Sequence, residues 1–79
     1  MNWHEYIHSD PQILAGKPSI KGTRLAVDFI LGLLAEGWSQ EQLLENYPAI
    51  NQKVLQAMFA YASDCLRDEA LFDIPEKVA

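Results

Sequence analysis

Three cations fall close together in the run Gly16-Lys17-Pro18-Ser19-Ile20-Lys21-Gly22-Thr23-Arg24, with no acid among them. Lys17, Lys21 and Arg24 on one short arm could contact phosphates or reach into a minor groove. The run superficially resembles a nucleotide-binding loop, but the match fails. Such a loop has four residues between its glycines and then Lys and Ser/Thr. Here five residues separate Gly16 from Gly22, and Thr23 follows directly. No general base or paired carboxylate stands nearby, so nucleotide hydrolysis is not expected. The other reading is a rigid double turn, with glycines in special dihedrals, Pro18 fixing one more and Thr23 capping or pairing. Both readings stay open on the residues alone.

Other chemistry-bearing residues carry less. His4 and His8 are four apart in a segment that reads as extended, and such positions on a strand lie about 13 Å apart. One metal ion could not be held by both, and no metal or cofactor is expected. Cys65 is expected to be a buried thiol on the apolar side of a helix, with no histidine on that helix to activate it. Asp64, Asp68, Glu69 and Asp73 read as a solvated acidic helix end. Asn51, Gln52, Lys53 and Gln56 are polar residues at the start of the last helix. Asn and Gln can pair with adenine, yet only one of the four is cationic. A solvated helix start explains them equally well. No constellation of base, nucleophile or metal points to an enzyme.

Composition sets the frame. The chain has 79 residues, a single cysteine and a 49% apolar share. That is one small domain, too apolar for a disordered chain and too short to bury a large core. No apolar run approaches a membrane span, and the N-terminal residues do not read as a signal peptide. With one free thiol, a reducing, cytoplasmic setting is expected. Charge is unevenly divided. Residues 25–79 carry nine acids against Lys53, Arg67 and Lys77, and the whole chain is at −5. A basic arm is thus attached to an acidic body. That argues against the uniformly basic footprint of a stand-alone nucleic-acid binder.

The elements that must position these residues follow from pattern. Residues 1–25 hold three turn signals, Asp10-Pro11, Gly16-Lys17-Pro18 and Lys21-Gly22-Thr23. Trp3–His8 and Thr23–Val27 read as two short strands of a ribbon. From Val27 the spacing of Ile30, Leu31, Leu34 and Ala35 is helical, with Asp28 in the first turn and Gly37 as the stop. Ser39 and Gln42 form a capping box for a helix over 40–46. Asn51 caps a third helix over about 52–69, whose broad apolar side runs from Val54 to Leu66. The tight connection between the second and third helices suggests a helix-turn-helix, with any other three-helix bundle an equal alternative. Helix 1 is apolar nearly all round, and Phe29 and Leu33 on it are expected to face a second copy, giving a homodimer. Residues 70–79 read as a tail in which Leu71, Phe72 and Ile74 either pack back or enter a partner's groove. The whole is expected to be a single domain, with arm 1–25, helices 26–69 and tail 70–79.

One resemblance is specific. Asp10-Pro11, Ile13-Leu14-Ala15-Gly16-Lys17-Pro18 and Ile20-Lys21-Gly22-Thr23-Arg24-Leu25-Ala26-Val27 resemble the opening of the bacterial family called domain of unknown function 433. Ile30, Leu34-Ala35, Gly37, Ser39, Glu41-Gln42-Leu43, Tyr47-Pro48, Val54, Ala57 and Tyr61-Ala62 continue it in order. Ser19 and Ala26 depart from the family's commoner residues without threatening the fold. The resemblance implies a mainly α, homeodomain-like helix-turn-helix domain with a short N-terminal β element. Many members look like antitoxins of the VapB type, encoded beside a PIN-like ribonuclease toxin. The resemblance therefore implies a non-enzymatic antitoxin that binds and blocks such a toxin and represses its own operator DNA. The alternative is a DNA-binding or dimerising module without a toxin.

Overall fold

The computed structural model describes residues 1–68. Two short strands, β1 (Ile7–His8) and β2 (Ser19–Ile20), pair antiparallel, with Ile7 opposite Ile20 and His8 opposite Ser19. Three helices follow: α1 (Val27–Ala35), α2 (Gln40–Asn46) and α3 (Gln52–Asp68). The expected mainly α fold with a small β element is what forms, and α2 and α3 are joined through the Tyr47–Asn51 turn in a helix-turn-helix. No helix among the described residues is long and apolar enough to cross a membrane.

Three helix boundaries have a local cause. Glu36 caps α1, and Gly37 follows at φ +104°, a conformation that disfavours side chains with a Cβ. The Gly37 N–H donates to the Leu34 carbonyl at 3.0 Å and the Trp38 N–H to the Leu33 carbonyl at 3.1 Å. This nested pair satisfies carbonyls that the helix end leaves open. Ser39 Oγ accepts from the Gln42 N–H at 3.1 Å, and Gln42 Oε1 accepts from the Ser39 N–H at 2.8 Å. Asn51 Oδ1 accepts from the Val54 N–H at 2.9 Å and starts α3.

The core draws on every element. Ile7 and Ile20 come from one face of the ribbon, Val27 and Ile30 from α1, and Leu43 from α2. Ile50, Val54, Leu55, Ala57 and Met58 come from the turn and the first half of α3. Because strand side chains alternate, a one-residue slip of the ribbon would exchange the two isoleucines for His8 and Ser19.

The N-terminal arm differs from the two strands its sequence suggests. Trp3–Glu5 is a single 3-10 turn capped by the Asn2 side chain, so only Ile7–His8 remains extended. The second strand precedes the Gly22 turn and is not Thr23–Val27. Thr23 closes that turn instead. Its N–H and its Oγ1 both donate to the Ile20 carbonyl, at 3.0 and 2.8 Å, and its Oγ1 accepts from the Leu25 N–H at 3.0 Å. Only an isolated bridge, Ala26 to Ser19, survives beyond it.

The far half of α3 also departs from expectation. Cys65 is exposed, as are Phe59 (44%) and Leu66 (60%). The fully buried core ends at Met58, and beyond it Tyr61 packs against that core and α3 meets the Trp3–Glu5 turn. Asp64, expected to be solvated, is half-buried and accepts a hydrogen bond from Trp3 Nε1 at 2.8 Å.

Candidate functional site

The basic arm is a hairpin. The Ile20 N–H donates to the Leu25 carbonyl at 3.0 Å and the Val27 N–H to the Pro18 carbonyl at 2.9 Å. Between them the chain reverses over Ile20–Thr23, with Gly22 at φ +80° in the third position, where a type II turn needs glycine. Lys17, Lys21 and Arg24 are all exposed on this hairpin. Their commitments differ. Lys17 Nζ is 2.9 Å from Asp28 Oδ2 on the first turn of α1. That hydrogen bond, above all, holds the Asp28 carboxyl below its ordinary value. Lys21 and Arg24 make no ion pair among the described residues. The arm therefore presents two uncommitted cations.

At the start of α3, Asn51, Gln52, Lys53 and Gln56 are exposed. Asn51 is committed to the cap through its side-chain oxygen. Bidentate pairing with adenine needs both the oxygen and the NH2 group, and the cap leaves Asn51 only the second lone pair of that oxygen and the NH2 group to offer. Gln52, Lys53 and Gln56 have no such commitment among the described residues.

A third feature combines Phe29 with residues not singled out from the sequence. Phe29 on α1 is 49% exposed and meets the Tyr47 ring edge-to-face, with centroids 6.1 Å apart. Tyr47 in turn lies 6.4 Å from Trp38. The three rings join α1, the loop after it and the end of α2 into one aromatic patch. Exposed acids flank it in sequence: Glu36 before Trp38, and Glu41 and Glu45 before Tyr47. Leu33 is half-buried and packs against the core. Leu71, Phe72 and Ile74 lie outside the described residues. The signal for Trp38 and Tyr47 was their position at the two ends of a short helix. The contact of Tyr47 with Phe29 depends on how α1 and α2 cross, which no local pattern encodes.

Among the described residues, no three of His, Cys, Asp and Glu converge as metal ligands.

The chain belongs to the family described as protein of unknown function DUF433, whose profile matches residues 7–62. It is 34% identical over 58 residues to the uncharacterized protein y4eO of Sinorhizobium fredii. That match covers 73% of this chain and 26% of the relative, so the chain spans about a quarter of the relative's length. The fold is similar to the crystal structure of a DUF433 member from Anabaena variabilis, with a TM-score of 0.72 and 26% identity. The similarity covers 77% of this chain and 60% of that one.

Proposed function

We propose that this chain is a non-enzymatic, antitoxin-like protein that covers a PIN-like ribonuclease in the cytoplasm. The observation that carries the reading is the Phe29–Tyr47–Trp38 patch with its flanking acids. Aromatic groups with an apolar body and a polar tip anchor protein interfaces, and a few of them supply most of the binding energy. A ribonuclease must hold a polyanion, so the surface that does so is basic. Glu36, Glu41 and Glu45 complement such a surface, favouring that partner and steering its approach. The mechanism is occlusion: the acidic protein covers the surface the RNA would occupy. The test is co-expression with a PIN-like ribonuclease, followed by co-purification and an RNA-cleavage assay. Inhibition that Phe29→Ala weakens by about tenfold, the effect of losing one interface anchor, is expected. Failure to co-purify together with undiminished cleavage would overturn the reading.

A second reading, operator binding by the helix-turn-helix, is favoured by the uncommitted Lys21 and Arg24 and by the exposed Gln52, Lys53 and Gln56. It needs two copies of the arm, because one copy offers too few cations for a chain of net charge −5.

A further inference from the structure

A cleft of about 290 Å³ lies between the Trp3–Glu5 turn, the ribbon and the middle of α3. Its walls include Trp3, His4, His8, Pro18, Lys21 and Tyr61. The volume is at the small end of ligand sites, which begin near about 300 Å³.

Two of its polar groups lack a partner. His8 Nε2 is buried with no hydrogen-bond partner, a condition that folded proteins generally avoid. The Lys21 ammonium makes no ion pair among the described residues. The ribbon register brings these residues to one face. His8 stands opposite Ser19, and the Lys21 N–H continues the pairing to the Tyr6 carbonyl at 2.9 Å. Ser19 and Lys21 are two apart and share a face, so His8 and Lys21 are diagonal neighbours at about 7–8 Å along the backbone. One oxyanion accepting a hydrogen bond from Lys21 and, once the His8 ring turns its closed-off Nε2 toward the cleft, from that imidazole spans that separation.

The opposite wall is already fixed in place. Trp3 is held by its hydrogen bond to Asp64, stacks on His4 at 3.7 Å and meets Tyr61 edge-on at 4.7 Å. Burial, with the Cys65 thiol a lesser cause, pushes the Tyr61 phenol up to about 12. It therefore stays a neutral O–H and adds no negative charge against an anion. The extended spacing of His4 and His8 implied that they could not act together. The 3-10 turn folds His4 back, and both rings line the same cleft.

We propose that this cleft binds a small molecule bearing an oxyanion, a carboxylate or a phosphate, held by Lys21 and His8, with any flat remainder against Trp3. The site is separate from the aromatic patch on α1 and α2 and does not depend on a ribonuclease partner.

The test uses Trp3 as reporter. The chain has two tryptophans, so Trp38→Phe leaves Trp3 alone. That protein is titrated with inorganic phosphate, with benzoate, and with chloride at matched ionic strength. A saturable change in Trp3 fluorescence, with a rise in melting temperature that chloride does not reproduce, is expected for at least one oxyanion. Phosphate alone identifies a phosphate ligand, and benzoate alone a flat carboxylate. Lys21→Ala, an exposed position whose loss the fold tolerates, should weaken binding by about tenfold or more, as for a charge-assisted hydrogen bond. His8→Phe should do the same. No saturable response to either oxyanion, an equal response to chloride, or unchanged affinity in folded Lys21→Ala would overturn the proposal.

Discussion

The Lys17 ammonium and the Asp28 carboxylate are 2.9 Å apart, with side chains 58% and 66% exposed. An ion pair this wet contributes little to stability, but it decides which cations on the arm remain available. Asp28 has a lowered folded value, so its contribution is present above the unfolded value near 3.8 and is lost as pH falls through the lower folded one. Lys17→Ala should bring the Asp28 carboxyl back up toward 3.8, read by its side-chain carbon shift in a pH titration. If the protein binds operator DNA as a symmetric dimer, Lys17→Ala should barely alter the salt dependence. Lys21→Ala with Arg24→Ala removes four phosphate contacts and should flatten the slope by about 3.6 units. A larger change from Lys17→Ala in a gel-shift titration would show that the pair opens on DNA. Asn51 separates folding from recognition in the same way. Asn51→Ala should cost about 1 kcal/mol by losing the cap, whereas Asn51→Asp keeps an acceptor there and should cost nearly nothing. Urea denaturation reads both. If Asn51→Ser, which keeps a cap acceptor and adds no charge, were folded but deficient in DNA binding, the NH2 group would be the part that reads DNA.

Elements with a local cause were legible in the sequence. The Ser39–Gln42 box, the Asn51 cap and the Gly37 stop each act within a few residues, and all three form. The ribbon was legible as an element but not in place, because the Thr23 side chain satisfies the turn that a strand would otherwise have continued. The packing beyond Met58 was hidden for a different reason. Trp3 and Asp64 are 61 residues apart, and their hydrogen bond ties the N-terminal turn to α3 without any local pattern. The left-handed residues before the basic arm were equally hidden. Leu14 and Ala15 have φ of 52° and 55°, a region that costs a residue with a Cβ about 1–2 kcal/mol. Ala15 is exposed, so Ala15→Gly removes that cost without leaving a cavity. Greater freedom of the unfolded chain returns about 0.4–1 kcal/mol of it. The net effect should be a gain of about 0.5 kcal/mol, or about 2–4 °C in melting temperature. A lower melting temperature would mean that this turn is not left-handed in solution.

At the scale of the molecule, the remaining issue is what covers the apolar surface. The sequence of helix 1, apolar nearly all round, predicts a second buried face. In the fold Val27 and Ile30 are buried, Leu31, Leu33 and Leu34 are half-buried against the core, and Phe29 alone of its large side chains is exposed. The larger apolar stripe runs along α3, where Phe59, Ala62 and Leu66 recur at the spacing of one helix face and Cys65 lies beside them. Phe59 and Leu66 are 44% and 60% exposed. Covering a large side chain fully contributes about 1.5–3 kcal/mol. In a two-fold dimer every such residue counts twice, so this stripe is the better seat for a second copy. Phe29 is then left free for the proposed ribonuclease partner. Sedimentation equilibrium at micromolar concentration should give twice the 8.9 kDa of one chain. Leu66→Glu should shift it to a folded monomer that still inhibits the ribonuclease in excess, while Phe29→Glu should leave the dimer intact and lose inhibition. If Phe29→Glu dissociated the protein and Leu66→Glu did not, the dimer would belong to α1 and the aromatic patch could not also be the ribonuclease site. A single species at the mass of one chain would remove the dimer, and with it the doubling of the basic arm on which operator binding depends.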